Sequence, residues 1–183
     1  MISFKQFITE LYKPNMNEIL KAINSMPGHT FNSLRQIETN TAITSLARKY
    51  KFTKIGEGFY AVVYKHENYP FVVKVWRQDE GFDMWLNFVL NNQNNPYVPK
   101  VKGKPVRITG TEYKAIRLEY LIHPKMREKH IHDVIEILWK SEDPNMKKIV
   151  RYLKSTGRDD DMHSENIMQR PNGQWVITDP LAW

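Results

Sequence analysis

Asp161-Met162-His163-Ser164-Glu165-Asn166 is followed, thirteen residues after Asn166, by Asp179 in Val176-Ile177-Thr178-Asp179. Between them lies Pro171-Asn172-Gly173-Gln174, with short apolar-rich runs on either side. Asn-Gly between two such runs is a strong hairpin signal, because both residues of the favoured two-residue turn take positive φ. If Asn172-Gly173 is that turn, paired positions sum to 345, and Asn166 lies directly opposite Asp179. Asp161 then sits in the loop just before the first strand. Two carboxylates and an amide converging on one point make a hard-oxygen site suited to Mg²⁺ and a phosphate chain. Taken alone, an ordinary surface hairpin with polar residues at its open end accounts for the pattern about equally well. The rest of the chain decides.

Residues 52–75 hold a second element. Strand-like runs flank Gly56-Glu57-Gly58, and a turn at Glu67-Asn68 leads into Phe71-Val72-Val73-Lys74-Val75. The glycines are followed by a strand rather than a helix, which argues against loops that deliver phosphate to a helix N-terminus. A glycine-rich hairpin instead folds over a nucleotide, where missing side chains let backbone N–H groups approach phosphate oxygens. The G-x-G pair alone is weak, since a plain tight turn has the same composition. Lys74 says more, because it interrupts an apolar run that reads as a largely buried strand. A lysine there must reach out to solvent or meet an anion. With the glycine-rich hairpin upstream and the oxygen triad downstream, binding of α- and β-phosphates is the better of the two. A third β-rich run, Glu112-Tyr113-Lys114-Ala115-Ile116-Arg117-Leu118-Glu119-Tyr120-Leu121, changes character at His123-Pro124.

The order of glycine-rich hairpin, strand lysine, β-rich run, D-x-H-x-x-N and Asp resembles the protein-kinase-like superfamily. It is most similar to the early serine/threonine protein kinases of T7-like bacteriophages, in the block Asp161–Met168 and in Ile177-Thr178-Asp179-Pro180. The resemblance covers about residues 50–181 and is most specific at 161–180. It implies an α+β, two-lobed kinase-like fold with an antiparallel β N-lobe and an abbreviated helical C-lobe. It implies Asp161 as the catalytic base that orients a substrate hydroxyl, and Asn166 and Asp179 as Mg²⁺ ligands. Lys74 would hold the ATP phosphates, Gly56 and Gly58 would shape the loop above them, and Val63 would rest on the adenine. Glu119 and Leu121 would lie in a hinge whose backbone meets the adenine edge. His163 would brace the catalytic loop by side-chain hydrogen bonds. The cofactors implied are ATP and Mg²⁺, and the partner is a host protein in the host cytoplasm.

The departures are specific. Ala61 replaces the third loop glycine, and Pro180, which supplies no N–H, follows Asp179. Asp159-Asp160-Asp161 crowds like charge around the base. Glu80 and Asp83 are the nearest candidate acids for Lys74, and Asp83 is preferred for lying deeper in the helix-like Gly81–Asn91 run. Four residues follow Asp179, so the activation segment and peptide-docking platform of ordinary kinases are absent from this sequence. Two alternatives therefore stand beside a phage protein kinase. One is a catalytically silent binder that inhibits a host protein; the other is a small-molecule kinase.

With 183 residues, 41% hydrophobic content and five Trp, the chain is long enough for one domain or two small lobes. There are no cysteines, which excludes disulfides and thiolate metal sites and suits a reducing cytosol. No apolar run approaches the roughly 20 residues that span a bilayer, and the N-terminus is too polar for a signal peptide. The net charge of +7 favours acidic partners, nucleotide among them, and would support weak nucleic-acid binding. No nucleic-acid motif is present, so most of these lysines read as solvated. Residues 1–50 are expected to form an N-terminal helical extension, 51–121 an N-lobe with one helix near 79–92, and 122–183 an abbreviated C-lobe. In the last segment, Asp143-Pro144 starts a helix and Gly157 ends it, just before Asp161.

Overall fold

The computed structural model describes Arg48 and residues 51–107, 112–125 and 128–182. The expected N-terminal helices lie outside the described residues. The element order is β1 (Phe52–Glu57), β2 (Ala61–His66), β3 (Phe71–Trp76), α1 (Glu80–Asn91), β4 (Val101–Arg107), β5 (Lys114–Glu119), α2 (Glu128–Trp139), α3 (Pro144–Thr156), β6 (Ile167–Gln169) and β7 (Trp175–Ile177). The first five strands form one sheet in the order β1-β2-β3-β5-β4, and β6-β7 is a separate hairpin. The α+β class expected from the sequence is the class observed. By contacts the chain divides into two units. Of the described residues, one holds those up to Gln78 with 105–107 and 112–117; the other holds Asp79–Lys104 and those from Leu118 onward.

In the first unit, β2 buries Val62, Tyr64 and His66 and leaves Ala61, Val63 and Lys65 half-exposed, the period of two of a strand with one covered face. All six residues of β3 are buried, as befits a strand with neighbours on both sides. The β1–β2 ladder shifts register between Lys54 and Gly56, a bulge that leaves Ile55 exposed and sets Gly56 opposite Val63.

In the second unit, Asp79 caps α1 by accepting the Phe82 N–H at 2.8 Å. The helix buries Phe82, Trp85, Leu86, Phe88 and Val89. Tyr152 of α3 stacks on Phe88 at 4.3 Å, and its hydroxyl donates to the Met84 carbonyl at 2.8 Å. On α3, Asp143 accepts the Asn145 N–H at 2.7 Å, Pro144 occupies the first turn, and Gly157 ends the helix with φ 67°. Those N–H contacts hold the Asp143 carboxyl below its ordinary pKa, while burial and the Asp143 contact raise the Tyr97 phenol. Met146, Ile149 and Leu153 seat the helix in the core.

The β6–β7 register differs from expectation. Ile167 pairs with Ile177, Met168 with Val176 and Gln169 with Trp175, so paired positions sum to 344 and Asn166 stands opposite Thr178, not Asp179. The cause is Pro171. Its fixed φ suits the second position of a turn, and the Gly173 N–H donates to the Arg170 carbonyl at 2.9 Å, closing that turn over Pro171-Asn172. Asn172 does not adopt positive φ, whereas Gly173 does, at 84°. The connection is thus a three-residue loop ending in a left-handed glycine, closed by the Arg170 N–H to the Gln174 carbonyl at 2.9 Å.

Candidate active site

The first unit brings three expected site residues into one row. Gly56 is the cross-strand partner of Val63, and Val63 is the partner of Lys74. Directly paired residues project on the same face of a sheet, so Val63 and Lys74 are neighbours there. Lys74 is only 8% exposed, an unusual position for an ammonium group and one that must be satisfied by polar contacts. The two glycines are not explained by folding. Neither has positive φ; a Cβ on Gly56 would make ordinary contact with Val63 Cβ at 3.7 Å, and one on Gly58 would meet nothing within 4 Å. The Gly58 N–H donates to the Ala61 carbonyl at 2.8 Å and closes the hairpin tip, where Phe59 is 78% exposed. Bare backbone at an open tip is what close approach by a ligand requires.

The second unit gathers the acidic candidates. Asp161 N–H donates to the Pro180 carbonyl at 2.8 Å, and Thr178 N–H donates to the Asn166 carbonyl at 2.9 Å. The residues on both sides of Asp179 are therefore tied, one to Asp161 and the other to Asn166. The three segments stay together despite the changed register because these backbone bonds, rather than strand pairing, hold them. Asn166 Nδ2 donates to the Asp161 carbonyl at 2.8 Å and to Asp161 Oδ2 at 3.2 Å. The Asp161 carboxylate is half-exposed.

His163 braces this loop. Its Nδ1 accepts the Glu165 N–H at 3.2 Å, and its Nε2 lies 2.9 Å from Asn166 Nδ2 and 3.4 Å from Asp161 Oδ2. Nδ1 thus faces a backbone donor, while Nε2 faces both an amide N–H and a carboxylate oxygen, so the ring links three residues of the loop.

Beyond Asp179 the chain is clamped. Pro180 and Leu181 are buried, Asp160 bridges Leu181, and the Ala182 N–H donates to the Asp159 carbonyl at 3.1 Å. Gly81 of α1 presses on the same segment: a Cβ there would lie 2.8 Å from the Leu181 oxygen and 2.9 Å from that of Ala182. Arg158 ties the two together, with Nη2 2.6 Å from Glu80 Oε2 and Nη1 3.5 Å from the Ala182 oxygen. Of the two acids considered for Lys74, Glu80 is thus engaged by Arg158, and Asp83 is half-buried on α1.

The hinge-like segment is fixed by Arg170, which sequence reasoning missed. Arg170 Nε and Nη2 meet Glu119 Oε2 and Oε1 at 2.9 and 2.6 Å, and Nη2 also donates to the Val98 carbonyl at 2.9 Å. Glu119 Oε1 accepts the Lys100 N–H at 2.7 Å, and its own N–H donates to the Lys100 carbonyl at 2.8 Å. The Glu119 carboxylate and N–H are therefore committed to protein partners. Leu121 is buried beside it, and Ile122 exchanges two 2.9 Å backbone bonds with Gln169 of β6. Nothing local signals this network, because the partners of Arg170 lie more than fifty residues away.

Among the described residues no cluster of three His, Asp or Glu groups could cage a metal ion. The donor set of Asn166 and Asp179 nevertheless fits Mg²⁺, which keeps several waters and shares its shell with phosphate oxygens. No helix among these residues is long and apolar enough to cross a membrane.

No protein-family model matches this chain, and no curated protein matches it. Among solved structures it is similar to Rad53 1–466 in complex with AMP-PNP, at 20% identity over 76% of this chain and 42% of that one, TM-score 0.43. It is also similar to a double mutant of the PknI kinase domain of Mycobacterium tuberculosis, at 14% identity over 70% of this chain and 60% of that one, TM-score 0.39. The chain spans about two fifths of the first and three fifths of the second.

Proposed function

We propose that the chain is a kinase-like phosphotransferase that uses ATP and Mg²⁺, and that its acceptor is a serine or threonine of a host protein during phage infection. One observation carries this reading: backbone hydrogen bonds gather Asp161, Asn166 and the Thr178–Pro180 segment, in the residue order that the kinase resemblance calls for. The buried Lys74 in a row with Val63 and Gly56 supports it from the other unit. Asn166 and Asp179 would hold Mg²⁺, which neutralises phosphate charge when bound. The half-exposed Asp161 carboxylate orients the acceptor hydroxyl and takes its proton. Lys74 holds the α- and β-phosphates, and the bare backbone at Gly56 and Gly58 lets them come close. Catalysis of this kind is positioning and charge neutralisation, so few groups suffice.

The test is transfer of labelled γ-phosphate to proteins of a host lysate by wild type and by Asp161→Asn. Labelled protein bands with wild type only support the reading. Equal labelling by both removes Asp161 from the chemistry, and labelled metabolites without labelled protein assign the chain to small-molecule kinases.

A further inference from the structure

α3 carries four cations and no carboxylate in thirteen residues: Lys147, Lys148, Arg151 and Lys154. At the helical angular step these four fall within an arc of about 120°, opposite the buried Met146, Ile149 and Leu153. All four are exposed. Lys147 pairs with Glu142, and Arg151 Nε donates to the Lys147 carbonyl at 3.3 Å. Among the described residues, Lys148, Arg151 and Lys154 have no ion-pair partner.

Two ordinary explanations fit poorly. A solvated helix face mixes signs, as α2 does with Glu136 and Lys140 paired at its end, because unlike charges one turn apart stabilise a helix and like charges destabilise it. A protein-docking face has an apolar centre. The cationic arc of α3 has neither carboxylates nor an exposed large apolar residue. Its cations step along the axis by about 6 Å from Lys147 to Arg151 and about 4.5 Å from Arg151 to Lys154. Long flexible side chains at that spacing suit a row of phosphates.

We propose that this face of α3 binds the phosphate backbone of a nucleic acid without reading its bases. The chain's net charge of +7 would draw such a polyanion in. None of these residues belongs to the proposed catalytic groups, so the proposal stands or falls apart from the kinase reading.

The test is fluorescence anisotropy of a labelled 20-base-pair DNA duplex titrated with the full chain at several salt concentrations. Three neutralised phosphates give a fall of log K with log salt of slope about −2.7. Lys148→Glu/Arg151→Glu/Lys154→Glu should weaken binding by at least about tenfold and flatten the slope. The corresponding Gln triple should give a smaller loss with an unchanged melting temperature, which separates lost contact from lost fold. Lys102→Glu/Lys104→Glu/Arg107→Glu on the exposed β4 makes the same charge change elsewhere, and should cost less than about threefold. A slope near zero, equal losses from the α3 and β4 variants, or tighter binding of labelled poly-glutamate than of duplex would each overturn the proposal.

Discussion

The candidate site residues of the first unit and those of the second are held by different means. In the first unit the row Gly56, Val63, Lys74 is set by strand pairing, so burial and register place each side chain. In the second unit the triad lies in loops at the open end of a three-residue-per-strand hairpin, and backbone hydrogen bonds from Asp161 to Pro180 and from Thr178 to Asn166 place it. The difference matters for how each set tolerates change. A strand site depends on the side chains around it, whereas a site placed by main-chain bonds accepts substitution of its functional side chains with little structural loss.

That contrast is broken most directly at Asp161. Asp161→Asn should lower phosphoryl transfer by about 10³-fold, the scale of a lost general base, while leaving the melting temperature nearly unchanged, because the tie to Pro180 uses the Asp161 N–H. A turnover assay paired with a thermal melt reads both, and a large drop in stability would show that the carboxylate itself holds the loop.

Arg170→Ala should be the most damaging structural change. It leaves Glu119, at 18% side-chain exposure, without its guanidinium, and should cost roughly 3 kcal/mol by denaturant unfolding. Gly81→Ala comes next, at roughly 2 kcal/mol, since its Cβ would collide with the main chain of Leu181 and Ala182 rather than with a side chain that can move. Gly58→Ala sharpens the contrast: stability should be unchanged within about 0.5 kcal/mol, while affinity for ATP falls. Loss of stability there would mean that the glycine serves the fold.

The smallest expected effect is pH-linked and belongs to the sheet. His66 is buried between the rings of Phe52 and Tyr69, and its Nδ1 accepts the Asn68 N–H at 3.1 Å. Burial pushes its pKa below the ordinary 6.5. The unfolded chain then takes up the proton first on acidification. The stabilisation is complete above the unfolded pKa and is lost as pH falls from there towards the folded one. Denaturant midpoints measured across this range should decline in wild type and less in His66→Phe.

Much of this was legible in the sequence for identifiable reasons. The strand-like runs flanking the glycine pair gave β1 and β2, the apolar run gave a buried β3 with Lys74 inside it, and Asp143-Pro144 with Gly157 gave both ends of α3. The hairpin was legible, but its register was not. The Asn-Gly signal pointed to a two-residue turn, while Pro171 one position earlier favoured the longer loop that forms. The need for glycine at position 81 was not legible, because what crowds it, the main chain of residues 181–182, lies a hundred residues away. The Arg170–Glu119 and Arg158–Glu80 pairs were invisible for the same reason: charged residues are common, and only the fold selects which of them meet.

The central claim, that Asn166 and Asp179 hold a metal–nucleotide, is tested most directly by a thermal-shift titration with ATP, with and without Mg²⁺, on wild type and Asp179→Ala. The account predicts a melting temperature that rises with ATP only when Mg²⁺ is present, and a rise that disappears in Asp179→Ala. An unmoved melting temperature in wild type, or an undiminished rise in the variant, would contradict it.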